Sequence, residues 1–206
     1  LAAATLSAQN TPLRLRSRGE FWNWFFWEAV DTGKFRVRGV VQLRSQPHLD
    51  TFLRAQGGPI LEWQATKQWN LLIGYYFQEF RGTYLDPEMQ GAHRPFGGIE
   101  YAWKIRQVSA ETRQMYEYFK ALNDRDSSRT RHRLRFEFPG PWGPFAQQEF
   151  FVDGQGIQAS RSETGITYAI TPRLEIQLTY FHEYRPPRSG GTRDVFNTRI
   201  TFEGPW

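Results

Sequence analysis

The sequence predicts an all-β protein: a closed, antiparallel, up-and-down β-barrel of the transmembrane type, with about twelve strands, or ten as the alternative. Three observations lead to this fold class. Polar and apolar residues alternate with a period of two along most of the chain. Short turns alternate with longer polar connections. Tryptophan concentrates near the short turns and tyrosine near the longer connections.

The composition is compatible with this class and argues against several others. The 206 residues are enough for one domain, contain no cysteine and carry a net charge of +5, which is modest for a polyanion-binding protein. No run of about 18 apolar residues is present, so no membrane-spanning helix is predicted. Arginine far outnumbers lysine, and guanidinium groups form compact bidentate ion pairs better than ammonium groups do. This bias indicates charges that are paired in a confined space.

Residues 1–17 are treated as an N-terminal segment and residues 18–206 as the barrel. The start, LAAATLSAQ, is small and apolar like the end of a secretory signal. Eleven strands can be counted from Gly19 to Phe202. An even number with both chain ends on the short-turn side requires one more, which we place around Pro12 to Arg16.

The strands are identified by faces of opposite polarity. The clearest is RTRHRLRFEF, residues 129–138, with arginine at every second position and Leu134, Phe136 and Phe138 between them. The other apolar faces include Phe35, Val37, Val41 and Leu43; Leu71, Ile73, Tyr75 and Phe77; Val108, Ala110 and Thr112; and Leu174, Ile176, Leu178 and Tyr180. Within one strand, Gly57, Gly58 and Pro59 predict a bulge or a strong bend.

The connections fall into two classes, as expected for an outer-membrane barrel. The short turns are 31–33, 65–68, 104–106, 139–143 and 171–173. The connections on the other side are 45–50, 82–92, 121–128, 153–156 and 186–193, and most of them are longer.

Aromatic residues are predicted to form two bands at the two membrane interfaces. The turn-side band comprises Trp27, Trp63, Trp69, Trp103 and Trp142, with Trp206 at the chain end. The loop-side band comprises Tyr75, Tyr116, Tyr118, Tyr180 and Tyr184, with Tyr76 and Tyr84 at the same level.

The polar faces are predicted to line the interior. The cations are Arg36, Arg38, Arg44, Arg54, Arg113, Arg131, Arg133, Arg135, Arg161 and Arg199. The anions are Glu62, Glu100, Glu111, Glu117, Glu137, Glu149, Glu163, Glu175 and Glu183. This near balance is expected of an enclosed space, where unpaired charges are costly, whereas a polyanion-binding face would be lopsided.

The chain resembles an uncharacterised family of bacterial outer-membrane β-barrels of roughly this length, known only as a domain of unknown function. The resemblance runs from Phe21 almost to the end. It rests on FRVRGVVQLRSQ, GGPILEWQATKQWNLLIGYYF, HRPFGGIEYAWKIRQVSAETRQMYEYF, RHRLRFEF, GITYAITPRLEIQLTYFHEY and DVFNTRITFEG. It implies a Gram-negative-type envelope and no established activity. One departure is that residues 203–206 follow the last strand aromatic, Phe202, on which such barrels often end.

The function predicted from these features is a structural or narrow, porin-like component of the bacterial outer membrane, or the anchor of a larger assembly. The expected partners are outer-membrane lipid and other envelope proteins. The arginines of residues 129–135 lie on the opposite face from the neighbouring aromatics, which disfavours nucleic-acid binding. The histidines lack metal-ligand spacing, and no cofactor motif is present, so no metal or cofactor is predicted.

Two alternatives remain at this point. One is a lipid-modifying outer-membrane hydrolase, since His132, His182, Ser160 and Ser162 share the predicted outward parity, although no G-x-S-x-G motif exists. A catalytic role is the weaker interpretation of these residues. The stronger interpretation is that the histidines belong to an aromatic band at a membrane interface. The other is a soluble β-barrel or sandwich that binds a polar ligand inside.

Overall fold

The computed structural model describes residues 18–45, 52–81, 89–122, 125–186 and 191–204, and in these ranges it contains strands and turns without helices. The strands are β1 Arg18–Asp31, β2 Phe35–Ser45, β3 Phe52–Gln64, β4 Trp69–Arg81, β5 Met89–Ile105, β6 Val108–Ala121, β7 Ser127–Glu137, β8 Pro144–Asp153, β9 Gly156–Thr171, β10 Leu174–Tyr184 and β11 Arg193–Phe202.

The eleven strands form one closed barrel, which confirms the predicted fold class. Each strand pairs antiparallel with its neighbours in sequence, and β1 closes the barrel by pairing in parallel with β11, from Arg18↔Arg193 to Trp27↔Phe202. An odd number of up-and-down strands makes one parallel pair unavoidable, so the closure is mixed instead of wholly antiparallel. The count differs by one from the twelve expected, and the strand expected near Pro12 to Arg16 lies outside the described residues.

The two ends of the barrel differ in their connections. At the turn side, β1–β2, β3–β4, β5–β6, β7–β8 and β9–β10 are joined by short segments. The Gly33 amide, at a φ of 80°, donates a 2.6 Å hydrogen bond to Asp31 Oδ1 and fixes the first of these turns. At the loop side, most connections extend into residues that are not described, whereas Asp153 and Gly156 are joined by only two residues.

A bulge or a strong bend was predicted around Pro59, and the bulge is absent because the segment keeps its register. Pairing of β3 with β2 runs through Val41↔Gly57 and Gly39↔Pro59 without a shift. Only the ladder to β4 is interrupted, between Gly57 and Ile60, because proline lacks an amide hydrogen. Gly58 has a φ of 156°, and a Cβ there would lie 2.0 Å from the Tyr75 carbonyl oxygen, so this close approach requires glycine.

Alternation of side chains gives the barrel two contrasting surfaces. The outer surface carries large apolar side chains, including Ile73 with 60% of its area exposed, Phe196 with 56% and Leu178 with 49%. The interior contains a cluster of buried apolar residues from β1 to β6, with Trp24 and Ile60 packed against it: Phe26, Val40, Leu72, Tyr76, Phe96 and Met115. A second cluster, Trp22, Phe181 and Val195, fills the interior where β10, β11 and β1 meet.

Candidate functional site

The candidate site is the set of charged side chains enclosed by the barrel. The residues predicted to line the interior occupy inward register positions, in the parity of the large buried side chains of their own strand or, on β7, directly opposite such side chains of β6 and β8: Arg36, Arg38, Arg44, Arg54, Glu62, Glu100, Glu111, Arg113, Glu117, Arg131, Arg133, Arg135, Glu137, Glu149, Arg161, Glu163, Glu175, Glu183 and Arg199. Period-two alternation fixes these positions, since a shift of one residue would turn every arginine of β7 outward.

The loop-side half of the interior holds a continuous chain of ion pairs, which we call the loop-side network. Its first hub is Glu117 on β6, a fully buried carboxylate. Glu117 pairs with Arg94 from β5, with Arg129 at 2.6 Å and with Arg131 at 2.8 Å, both from β7. Three guanidinium groups therefore surround one carboxylate.

The network continues around the wall through two more buried carboxylates. Glu149 on β8 joins Arg131 at 2.7 Å to Arg161 at 3.1 Å. Glu183 on β10 joins Arg161 at 2.6 Å to Arg193 at 2.7 Å. It also accepts a 2.5 Å contact from Arg185, and Arg193 reaches Glu20 on β1 at 3.0 Å. The pairs thus connect every strand from β5 through β11 to β1.

Sharing of partners makes this enclosed arrangement energetically acceptable. A buried charge without a partner lowers the stability of the fold by roughly several kcal/mol, whereas hydrogen-bonded pairs recover much of the desolvation penalty. Each hub carboxylate here contacts at least two guanidinium groups, and Arg131 and Arg161 each bridge two hubs. The network therefore ties neighbouring strands together.

A second group of ion pairs lies nearer the turn side. Arg36 and Arg38 on β2 both contact Glu28 of β1 and Glu62 of β3, with Arg36 to Glu28 at 2.9 Å and Arg38 to Glu62 at 3.1 Å. On the other side of the barrel, Glu100 is approached by Arg113 at 3.4 Å and by Arg133 at 3.6 Å, and Arg133 also pairs with Glu111. Arg135 contacts Glu137 at 3.3 Å.

Among the described inward residues, the loop-side half of the interior holds more guanidinium groups than carboxylates. The loop-side network contains more arginines than glutamates, and Arg44 and Arg54 add two guanidinium groups where they face each other across β2 and β3. Outside the strands, Arg185 lies at the same end. Burial lowers its pKa, and the neighbouring Glu183 acts in the opposite direction.

Aromatic rings line the charge network from the inside. The guanidinium carbon of Arg161 lies 4.5 Å from the Phe181 ring centroid, and that of Arg135 lies 3.9 Å from Phe145. Arg199 lies 4.1 Å from Phe26, which belongs to the larger apolar cluster. Contacts between a guanidinium group and an aromatic face are attractive. Phe26 and Phe181 belong to the two apolar clusters, so the ion pairs and the apolar clusters of the interior pack against each other.

A cavity of about 480 Å³ lies at the turn-side rim. Its lining includes the inward Glu111, Arg135 and Glu137 together with Lys67 from a turn and Lys104 near the end of β5. The cavity therefore opens at the end of the barrel and mixes the turn-side ion pairs with solvent-facing lysines.

The predicted aromatic bands lie on the outer surface at the two ends. Trp27, Trp63, Trp69, Trp103 and Trp142 are in or next to turn-side connections, where Phe35 stacks on Trp63 at 6.2 Å and Trp142 on Tyr168 at 4.6 Å. Tyr75, Tyr116, Tyr118, Tyr180 and Tyr184 point outward in the loop-side half. Tyr76 instead points inward and belongs to the apolar cluster, because its parity on β4 is that of Leu72. Tyr84 and Trp206 lie outside the described residues.

The outer surface also carries three histidines and two serines, most of which were considered above as candidates for catalysis. His93 contacts the Tyr75 hydroxyl, and His132 Nε2 lies 3.3 Å from Thr130 Oγ1. His182 Nδ1 lies 2.9 Å from Asp194 Oδ1. Ser160 and Ser162 are on β9, and Ser162 is directly opposite His182. His48 lies outside the described residues.

Within the described strands, five charged residues of the interior were not identified from the sequence: Glu20, Glu28, Arg94, Arg129 and Arg193. Most of them lie near strand ends or in strands where glycine and proline obscure the alternation, as in HRPFGG around Arg94. Extending the parity of each strand by two residues would have found Arg129, because Arg131, Arg133 and Arg135 already define the inward face of β7.

The fold and the enclosed charges define a closed β-barrel with an apolar outer surface and ion pairs inside. The chain belongs to the family described as proteins of unknown function, DUF2490, whose model matches residues 20–194. No curated protein and no solved structure is matched by the chain. Among the residues that the structure describes, no helix is long and apolar enough to cross a membrane, and no group of acidic or histidine side chains is arranged to hold a metal ion.

Proposed function

We propose that the protein is an integral component of the bacterial outer membrane, in which the barrel spans the bilayer as a closed, structural element. The observation that carries this proposal is the inverted distribution of polarity. Ile73 on the outer surface has 60% of its area exposed, whereas the side chain of the inward Arg133 is 11% exposed. A protein surrounded by water is expected to have the opposite arrangement.

The extent of the apolar surface supports a lipid environment. Water-soluble monomers rarely expose contiguous apolar patches larger than roughly a few hundred Å². In this barrel, outward apolar side chains occur on strands all around the wall. The strands have 10 to 17 residues, and a tilted strand needs about 9–11 residues to cross the hydrocarbon. Each strand is thus long enough to span a bilayer.

The two aromatic bands support a barrel that crosses the membrane with one end at each interface. Tryptophan and tyrosine favour the boundary between hydrocarbon and headgroups, and the barrel presents one band at each end. The turn side corresponds to the periplasmic face and the loop side to the cell exterior, as in other barrels with short periplasmic turns. The arginine-rich loop-side half of the described interior then lies nearer the outside of the cell.

The packed interior favours a structural role over that of a pore. The two apolar clusters and the loop-side network occupy the space that an open channel would need. The interior of a barrel of about eight strands is just wide enough to be filled by side chains, and here large aromatic and arginine side chains occupy the wider interior of eleven strands. The barrel then serves as a stable membrane anchor, and its loops are available to other envelope proteins.

Envelope fractionation and conductance test this proposal together. After expression in a Gram-negative host, we expect the protein to stay in the outer-membrane fraction through a high-salt wash and to be released by detergent. In planar bilayers we expect insertion without a steady ion current. Release by salt alone would support the soluble barrel with an internal polar ligand, and a steady current would support a pore.

A further inference from the structure

A row of four polar residues lies on the largely apolar outer surface, in its loop-side half. Gln148 on β8, Ser162 on β9, His182 on β10 and Asp194 on β11 occupy directly opposed positions on four adjacent strands. Aromatic residues border the row on both sides, namely Phe150, Tyr180, Tyr184 and Phe196. Ionisable side chains on a lipid-facing wall are unfavourable, so the neighbouring His182 and Asp194 in this row call for a functional explanation.

Three residues of this row, Ser162, His182 and Asp194, have the chemistry of an acyl-transfer triad. His182 Nδ1 lies 2.9 Å from Asp194 Oδ1, which also accepts a 2.6 Å hydrogen bond from the Tyr180 hydroxyl. A histidine that donates its Nδ1 hydrogen to a carboxylate keeps Nε2 as the basic atom. Ser162 stands opposite His182 on the neighbouring strand, within the spacing of about 5 Å that separates opposed Cβ atoms.

The serine hydroxyl is turned toward the other neighbour in this structure. Ser162 Oγ donates a 2.6 Å hydrogen bond to Gln148 Oε1. Rotation about the single χ1 bond of the exposed serine brings Oγ to the side of His182, and exposed side chains make such changes within nanoseconds, roughly. The amide Nε2 of Gln148 is a donor of the type that stabilises an oxyanion.

We propose that Ser162, His182 and Asp194 form a hydrolase site for the acyl esters of membrane lipids. This inference rests on the proposed function, because it requires the outer surface to face lipid. Its position at the loop-side aromatic band places it near the ester groups, which lie at the boundary of headgroups and acyl chains. The substrate class is a glycerol-based lipid with an ester-linked acyl chain.

The chemistry balances with water as the second reactant. His182 Nε2 takes the proton of Ser162 Oγ, which bonds to the ester carbonyl carbon. The carbon–oxygen bond to the lipid alcohol then breaks, and that alcohol takes the proton from His182. Water, deprotonated by the same nitrogen, attacks the acyl-serine. The acyl–Oγ bond breaks, the proton returns to serine, and the products are a fatty acid and a lysolipid.

Neighbouring residues supply matched controls. Ser160, two positions away on the same outward face of β9, is opposed by Phe150 and Tyr184 and faces neither an acid nor a base. His132 on β7 is also outward, but its ring nitrogen contacts Thr130 instead of a carboxylate. Variants S160A and H132A therefore remove the same side-chain types from the same surface without touching the row.

The test uses the full chain reconstituted in phosphatidylethanolamine–phosphatidylglycerol vesicles, with release of fatty acid as the readout. We expect release above protein-free vesicles, a loss of at least about 100-fold in S162A and H182A, and less than about twofold change in S160A and H132A. A fluorophosphonate probe should label the wild-type chain at Ser162, as mapped by mass spectrometry, and should not label S162A.

Vesicle flotation separates failure of this inference from failure of the proposed function. A chain that floats with the vesicles but releases no fatty acid, or whose S162A variant retains wild-type release, overturns the hydrolase site and leaves the membrane assignment intact. A chain that does not float with the vesicles overturns both.

Discussion

The guanidinium carbon of Arg44 lies 3.6 Å from the centroid of the Trp22 ring. The same ring packs edge-on against Phe181 at 4.8 Å, and its Nε1 donates a 2.7 Å hydrogen bond to Glu20 Oε2. Only 2% of Trp22 is exposed. The ring is therefore buried in the loop-side interior, where it connects the smaller apolar cluster with the loop-side network.

Replacing this ring should be among the most damaging single changes. We expect Trp22→Ala to lower the free energy of unfolding by about 3–5 kcal/mol, because it leaves a cavity and removes the stacking partner of Arg44. Urea unfolding of the barrel in vesicles, followed by tryptophan fluorescence, measures the change. Trp63→Ala, on the outer surface and stacked only on Phe35, should cost about 1 kcal/mol. Equal losses of stability in the two variants would mean that the Trp22 ring does not fill the interior.

The hub carboxylates should matter more than carboxylates at the rim. Glu149→Gln keeps the shape of the side chain but leaves Arg131 and Arg161 without one of their shared buried anions. We expect a loss of about 3–5 kcal/mol at neutral pH in the same unfolding assay. Glu137→Gln, whose side chain is 45% exposed and pairs with Arg135 at the rim, should cost less than about 1 kcal/mol. A Glu149→Gln barrel as stable as the wild type would argue against an enclosed network.

The closing strand pair can be tested by a disulfide, since the natural chain has no cysteine. Phe25 and Ile200 are directly opposed on β1 and β11. A Phe25→Cys/Ile200→Cys variant should cross-link on mild oxidation as efficiently as a Leu178→Cys/Thr198→Cys reference pair on β10 and β11. A twelfth strand inserted between β1 and β11 would separate the first pair by about 9–10 Å and prevent its disulfide while the reference pair still forms.

The sequence alone was informative about parity and much less so about the ends of strands. The alternation in residues 129–138 placed Arg131, Arg133 and Arg135 on the inward face of β7, where the structure also has them. Register is strongly specified there because a one-residue slip would put three guanidinium groups among apolar side chains. The same periodicity does not reveal how many strands close the barrel, since closure depends on tilt and stagger of the whole sheet.

The filling of the interior was also beyond the sequence. Trp22, Trp24 and Phe26 share a parity with Glu20 and Glu28, so an apolar stretch of β1 points to the same side as charges. Nothing local distinguishes an aromatic residue that plugs the interior from one that faces outward. Likewise, Ser162, His182 and Asp194 are far apart in sequence, and only the pairing of β9, β10 and β11 aligns them.

An arginine scan of the outer surface should depend on depth if the surface faces a bilayer. Arginine facing lipid at the midplane costs about 2–4 kcal/mol and near an interface about 0–1 kcal/mol. We therefore expect Ile73→Arg, in the middle part of β4, to destabilise the barrel in vesicles much more than Ile105→Arg, beside a turn-side connection. Both isoleucines are at least half exposed, so small and equal effects, as on a water-facing surface, would contradict a lipid-facing wall.

The most direct test of the central claim is the quenching of single fluorescent labels placed on the outer surface of the vesicle-bound barrel. Ile73→Cys and Leu178→Cys mark the apolar wall, and Lys67→Cys marks an exposed turn. We predict that labels at positions 73 and 178 are quenched by nitroxide-bearing acyl chains and protected from aqueous iodide, and that the label at position 67 behaves in the opposite way. Strong iodide quenching at positions 73 and 178, with no effect of the lipid nitroxide, would show that this wall faces water.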